Sequence, residues 1–149
     1  MNQVVVKQEK SGYQIVEAYK SLRTNLQFCG EDKKVIAITS CTPNEGKSSV
    51  SMQLGISLAE IGKRVILIDA DLRKSVLLGR TKTEKSVRGL AHFLSGQASL
   101  EDVICATNIK NFYMIYSGPF PPNPAELLGG KNFRSLLNAL RKVYDYVIV

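Results

Sequence analysis

The stretch from Val35 to Arg73 decides the fold, and it reads VIAITSCTPNEGKSSVSMQLGISLAEIGKRVILIDADLR. It opens with apolar and β-branched residues, a composition that favours a strand. After a glycine-containing loop, apolar residues recur at helical spacing as far as Gly62, a residue type that commonly ends helices. A second apolar run then ends in Asp69 and Asp71. The order of strand, loop, helix and strand predicts a βαβ unit of a parallel sheet.

The loop of this unit contains the sequence GKSS at residues 46–49. Backbone N–H groups at a glycine and at a helix N-terminus can surround phosphate oxygens. We expect Gly46 to allow close approach of the backbone and Lys47 to reach the β- and γ-phosphates. Ser48 would then supply a hydroxyl to Mg²⁺, and Ser49 would bond an α-phosphate oxygen. The pattern predicts a nucleoside triphosphate site.

The loop departs from the common phosphate-binding pattern at its first glycine position, which holds Cys41. Glu45 lies inside the loop, and we include it among the residues expected to contact the nucleotide. Taken alone, GKS would also suit an ordinary turn with an exposed lysine. The preceding strand and the following helix favour phosphate binding over such a turn.

Two carboxylates follow the second apolar run. Residues i and i+2 of a strand point to the same side, and ligands of open α/β sheets bind at the carboxyl ends of the strands. One of Asp69 and Asp71 can therefore hold Mg²⁺ while the other orients or deprotonates an attacking hydroxyl. Arg73 lies a fixed two residues beyond and is expected to steady phosphates. The alternative is a pair of solvated turn aspartates.

The rest of the chain alternates predicted helices and strands, which indicates a doubly wound, mostly parallel α/β sheet. We predict one domain over 1–149 that is incomplete at its C-terminal end. Its parts are a polar arm over 1–11 with a short β-like patch, a helix over 13–28, a basic loop over 74–85, helical segments near 86–95 and 99–105, a strand over 112–116, a stiff proline loop over 118–124, a helix over 132–143 and a strand over 144–149.

Net charge, cysteine spacing and the lengths of the apolar runs limit the partners and the cellular location that we expect. A net charge of +7 suits an anionic partner, a phosphorylated ligand or a solvated basic surface. No nucleic-acid reader module accompanies the charge, so nucleic acid is not an expected partner. The three cysteines lack metal-ligand spacing and favour a reducing cytoplasm. The N-terminus does not have the pattern of a signal peptide, and the apolar runs are too short to span a bilayer.

Four motifs resemble those of the cytoplasmic tyrosine kinases of bacterial capsule and exopolysaccharide systems, which are P-loop proteins. They are SCTPNEGKSS at 40–49, VILIDADLRK at 65–74, EAYKSLRTN at 17–25 and GPFPPNPAELL at 118–128. The resemblance implies an ATP-dependent protein-tyrosine autokinase that regulates capsule or exopolysaccharide synthesis and export, with ATP and Mg²⁺ as cofactors. It implies ATP binding at residues 46–49, and catalytic and Mg²⁺-binding carboxylates at Asp69 and Asp71.

The resemblance also implies partners. In this family a helix motif with one glutamate and two arginines mediates self-association; Glu17 and Arg23 match it, while Lys20 takes the middle position. Lysine keeps the charge but lacks the planar fork of arginine. Further implied partners are a membrane-embedded polysaccharide co-polymerase that acts as activator, and proteins that carry substrate tyrosines. The implied location is the cytoplasm, at the inner face of the cell membrane through a partner.

The third motif of the family is an apolar strand followed by Asp-x-x-Pro. Residues 146–149 match the strand, and neither the aspartate nor a tyrosine-rich tail follows in this sequence. We therefore interpret the chain as the first two-thirds of such a kinase. Two alternatives stay open: an ATP-dependent switch of the partitioning or division-site type, and an inactive remnant that binds nucleotide or partners. The switch proteins commonly have an additional early lysine in the loop, where this chain has Cys41 and Thr42.

Overall fold

A computed structural model describes residues 1–6, 12–32, 34–38, 47–71, 81–83, 88–119 and 121–149. The helices are α1 (Tyr13–Phe28), α2 (Lys47–Glu60), α3 (Leu90–Leu94), α4 (Leu100–Val103), α5 (Pro124–Leu128) and α6 (Lys131–Val143). The strands are β1 (Asn2–Val6), β2 (Val35–Ile36), β3 (Val65–Ile68), β4 (Thr81–Thr83), β5 (Cys105–Thr107), β6 (Phe112–Ile115) and β7 (Tyr146–Ile148). No helix in these ranges is both long and apolar enough to cross a membrane.

The seven strands form one sheet in the order β2-β7-β3-β6-β5-β1-β4. The pairs β2–β7, β7–β3, β3–β6 and β5–β1 are parallel, and the pairs β6–β5 and β1–β4 are antiparallel. Val65 of β3 lies opposite Phe112 on one side and Tyr146 on the other. The predicted mostly parallel α/β sheet is confirmed, and its antiparallel pairs are confined to the β6–β4 end.

Helices cover both faces of the sheet. On one face, Leu54 and Leu58 of α2 pack in a hydrophobic core with Val65 and Leu67 of β3. The partly buried Leu26 of α1 packs against this core. On the other face, Ile66 and Ile68 pack with residues of α3 and α6. All four residues of β3 are buried because the strand is covered on both faces, which explains its uninterrupted apolar sequence.

The structure differs from the sequence-based elements in three places. Helix α5 is not among the predicted elements, and it begins at Pro124, the last residue of the predicted proline loop. Strand β4 lies within the segment predicted as a basic loop, and it forms because Val4 and Val6 pair with Thr83 and Thr81. The helix predicted over 99–105 is shorter, because Ile104 is extended and the chain continues into β5. The short β-like patch predicted within residues 1–11 is strand β1, which lies between β5 and β4.

Candidate functional site

The carboxyl ends of β2, β7, β3 and β6 lie at one edge of the sheet, since these strands are parallel neighbours. Helix α2 leaves this edge and runs back to the amino end of β3. Its first residue is Lys47, so the positive end of a 14-residue helix lies at the same edge as the carboxyl end of β3. Such an edge is where open α/β sheets bind ligands.

Asp69 follows β3 directly and is 7% exposed. Its N–H donates to the carbonyl oxygen of Ile115 over 2.8 Å, which continues the pairing with β6 by one residue. Its Oδ1 accepts the N–H of the half-buried Asp71 over 3.2 Å. This backbone bond orients the Asp69 carboxylate at the edge.

The donor types at this edge fit Mg²⁺ and phosphate. The described residues contain no group of three or more His, Cys, Asp or Glu side chains that could hold a metal by themselves. Mg²⁺ is commonly bound through one or two carboxylates together with phosphate oxygens and water. The buried carboxylate of Asp69, at the same edge as the N-terminus of α2, is of the ligand type that this binding mode uses.

The other predicted site residues are placed less completely. Lys47, Ser48 and Ser49 form the first turn of α2, as expected for residues that follow a phosphate loop. The predicted contacts of Glu45, Gly46 and Arg73 lie outside the described residues, as does Cys41. The predicted orientation of Asp69 and Asp71 toward the same side stays a prediction.

A contact missed by the sequence analysis joins α3 to the start of the proline loop at this edge. The N–H of Leu90 donates to Tyr116 O over 2.6 Å, and that of Ala91 to Ser117 O over 2.9 Å. The His92 Nδ1 atom accepts the N–H of Gly89 over 3.0 Å. Gly89 and His92 occupy the N-cap and N3 positions of α3. This spacing of three residues is the one local feature of the sequence that could have indicated the start of the helix.

Helix α1 lies against α2. The Arg23 Nη1 atom donates to Ser57 O over 2.9 Å and to Ser57 Oγ over 3.3 Å, and its side chain is 15% exposed. Lys20 and Glu17 form an exposed ion pair over 3.5 Å. Of the three residues predicted to mediate self-association, Arg23 is thus engaged within its own chain, while the other two face solvent.

A family model described as AAA domain matches residues 33–149. The chain therefore belongs to the AAA-domain family, in agreement with the βαβ unit and the edge described above. The match begins just before β2 and continues through β7.

Known proteins resemble the chain over most of its length. The tyrosine-protein kinase CpsD of Streptococcus agalactiae is 43% identical over 133 residues, which are 89% of this chain and 58% of CpsD. The kinase domain of the Escherichia coli tyrosine kinase ETK is 38% identical and superposes with a TM-score of 0.83, over 90% of this chain and 53% of that domain. The chain thus spans less than two thirds of the length of these relatives.

A more distant likeness is to the septum site-determining protein MinD of Pyrococcus horikoshii, which was solved in complex with Mg-ADP. It is 27% identical with a TM-score of 0.63, over 77% of this chain and 47% of that chain. The higher identity and TM-score of ETK place the chain nearer to the tyrosine kinases.

Proposed function

We propose that the chain is the nucleotide-binding part of an ATP-dependent protein-tyrosine kinase that regulates capsule or exopolysaccharide synthesis. The observation that carries the proposal is the common edge of Asp69 and the first turn of α2, in a chain 43% identical to a tyrosine kinase. The reaction transfers the γ-phosphoryl group of ATP to a tyrosine hydroxyl, whose proton passes to a base.

Each predicted residue has a proposed role in this reaction. Gly46 and the N–H groups of the first turn of α2 surround the phosphates, and Lys47 pairs with the β- and γ-phosphates. Ser48 and one of Asp69 and Asp71 hold Mg²⁺, and the other carboxylate accepts the proton of the tyrosine hydroxyl. Bound Mg²⁺ neutralises charge on the phosphates. The desolvated position of Asp69 supports the metal role for this residue, since bound Mg²⁺ offsets the cost of burying a charge.

Three further residues have proposed contacts with the nucleotide or with the transferred group. Glu45 and Ser49 contact the nucleotide at the entrance and at the α-phosphate, and Arg73 steadies the transferred group.

We place the protein in the cytoplasm, recruited to the membrane by a polysaccharide co-polymerase. Self-association is proposed through the outward Glu17 and Lys20, with Arg23 fixing α1 on α2.

Transfer of label from γ-labelled ATP to a glutamate–tyrosine copolymer tests the proposal directly. The 149-residue chain is incubated with Mg²⁺, the copolymer and labelled ATP, and phosphotyrosine is quantified after acid hydrolysis. We expect labelled tyrosine, and its loss in Asp71→Asn. The exposed variant Lys110→Gln is the matched control, since it removes one charge far from the edge.

The outcomes separate the proposed kinase from its alternatives. Release of phosphate with no label on tyrosine would favour a switch of the kind suggested by the likeness to MinD. Nucleotide binding with neither activity would favour a binding remnant. Either result contradicts tyrosine kinase activity of the 149-residue chain by itself.

A further inference from the structure

The exposed side of α6 carries basic residues in its first and last turns. Four exposed basic residues lie on it: Lys131, Arg134, Arg141 and Lys142. With about 3.6 residues per turn, these positions share one side of the helix. The opposite side carries Leu136 and Leu140, which are buried, and the helix contains no acidic residue. The charge is therefore segregated to a single surface, which we call the α6 cationic face.

Lys34 extends the α6 cationic face toward the edge strand β2. Its Nζ donates to the carbonyl oxygen of Arg141 over 3.3 Å, which holds the ammonium group beside the last turn of α6. Around this contact lies a depression of about 500 Å³. Its lining residues are Asp32, Lys34, Asn138, Arg141 and Lys142. The depression is at the amino ends of β2 and β7, at the edge opposite Asp69.

No ion pair to the positive charges of this surface is found within the described ranges, where the two ion pairs join Lys20 to Glu17 and Arg23 to Glu60. Asp32 lines the depression together with three cations, so positive charge is in excess there. Clustered unpaired cations raise the local potential and attract anionic ligands.

A peptide suits this surface better than a bilayer. Interfacial helices bind membranes by inserting an apolar face, but Leu136 and Leu140 are already packed in the core. A bilayer is planar, whereas the depression is concave and offers directional donors from Asn138 and Arg141. Guanidinium and amide N–H groups pair well with carboxylates. At about 1.5 Å per residue, the face spans about 16 Å, the length of about five residues of extended chain.

We propose that the α6 cationic face and its depression form a docking surface for an acidic peptide segment of a partner protein. The surface lies on the side of the sheet that carries α6, away from α1 and away from the nucleotide edge. The docking therefore does not depend on the proposed kinase activity.

Fluorescence anisotropy with a labelled peptide of alternating glutamate and serine tests the proposal. The probe has eight residues, and the reference peptide has glutamine in place of every glutamate. We expect the acidic peptide alone to bind the 149-residue chain, with an affinity that falls about tenfold or more in Arg141→Glu/Lys142→Glu. Lys63→Glu/Lys110→Glu changes the net charge equally outside the depression, and its affinity should stay within about twofold.

Three results would overturn the proposal: equal binding of both peptides, equal loss in both double variants, or no binding at low salt. The affinity of a neutral variant, Arg141→Gln/Lys142→Gln, is measured together with those of the two charge-reversal variants. Circular dichroism tests whether each variant is folded. Cosedimentation with phosphatidylserine vesicles tests the alternative, in which the α6 cationic face binds a membrane. Vesicle binding that depends on Arg141 and Lys142, without peptide binding, would assign the face to membranes.

Discussion

Replacing Gly89 with alanine tests the contact that fixes α3 against the start of the proline loop. A Cβ atom at Gly89 would lie 2.3 Å from Gly118 N, 2.6 Å from Gly118 Cα and 2.7 Å from the carbonyl carbon of Ser117. These are backbone atoms, so no side-chain rotation can relieve the overlap. The two segments must separate.

The cost of this separation follows from the bonds that cross it. Overpacking of a tight contact costs about 1–3 kcal/mol. The two hydrogen bonds from Leu90 and Ala91 to Tyr116 and Ser117, just beyond β6, also weaken, and each contributes about 1 kcal/mol net. We therefore expect Gly89→Ala to lower the free energy of unfolding by about 2–5 kcal/mol. For a chain of this size the melting temperature should fall by about 6–15 °C.

Urea denaturation followed by circular dichroism measures the change. Gly12→Ala is the matched control, because Gly12 has φ −64° and no atom within 4 Å of an added Cβ. We expect the control to change the free energy of unfolding by less than about 1 kcal/mol. Equal midpoints for Gly89→Ala and the wild type would show that the close contact of Gly89 with Ser117 and Gly118 does not stabilise the fold.

Three further predictions concern single side chains. Burial raises the pKa of the Cys105 thiol to about 11, so at pH 8 iodoacetamide should modify the exposed Cys29 and leave Cys105 intact until urea is added, as mass spectrometry can determine. Hydrogen bonds from the N-cap of α4 lower the pKa of Asp102 below its usual 3.8. Its stabilisation is present above that value and is lost as the pH falls through the lowered pKa, so Asp102→Ala should lower the melting temperature at pH 7, and by progressively less as the pH falls through that lowered pKa. Arg23→Met removes the bonds to Ser57 and should cost about 1–3 kcal/mol; hydrogen exchange of α1 amides should accelerate, and unchanged exchange would contradict the contact.

Local patterns predicted most of the helices and the central strands. Helix α1 was predicted with its observed limits because its apolar residues recur at helical spacing between Gly12 and Gly30. The apolar run of β3 and the carboxylate of Asp69 at its end were found for the same reason, since the features that define them are adjacent in sequence.

The missed features depend on residues that are distant in sequence. Strand β4 forms only because β1 supplies its partner, and a three-residue polar segment gives no periodic signal. The contact of Gly89 with Gly118 and the bond from Arg23 to Ser57 likewise join separate elements. Single-sequence patterns contain no information about such pairs, so the sequence indicated Arg23 as a surface residue.

The proposed function depends on the binding of a Mg²⁺–nucleotide at the edge formed by β3 and the first turn of α2. Isothermal titration of the 149-residue chain with ATP, with and without Mg²⁺, tests it most directly. We expect Mg²⁺-dependent binding that weakens about tenfold or more in Lys47→Ala and in Asp69→Asn, while Lys110→Gln binds like the wild type. No binding by the folded wild type, or equal affinities in all four proteins, would contradict it.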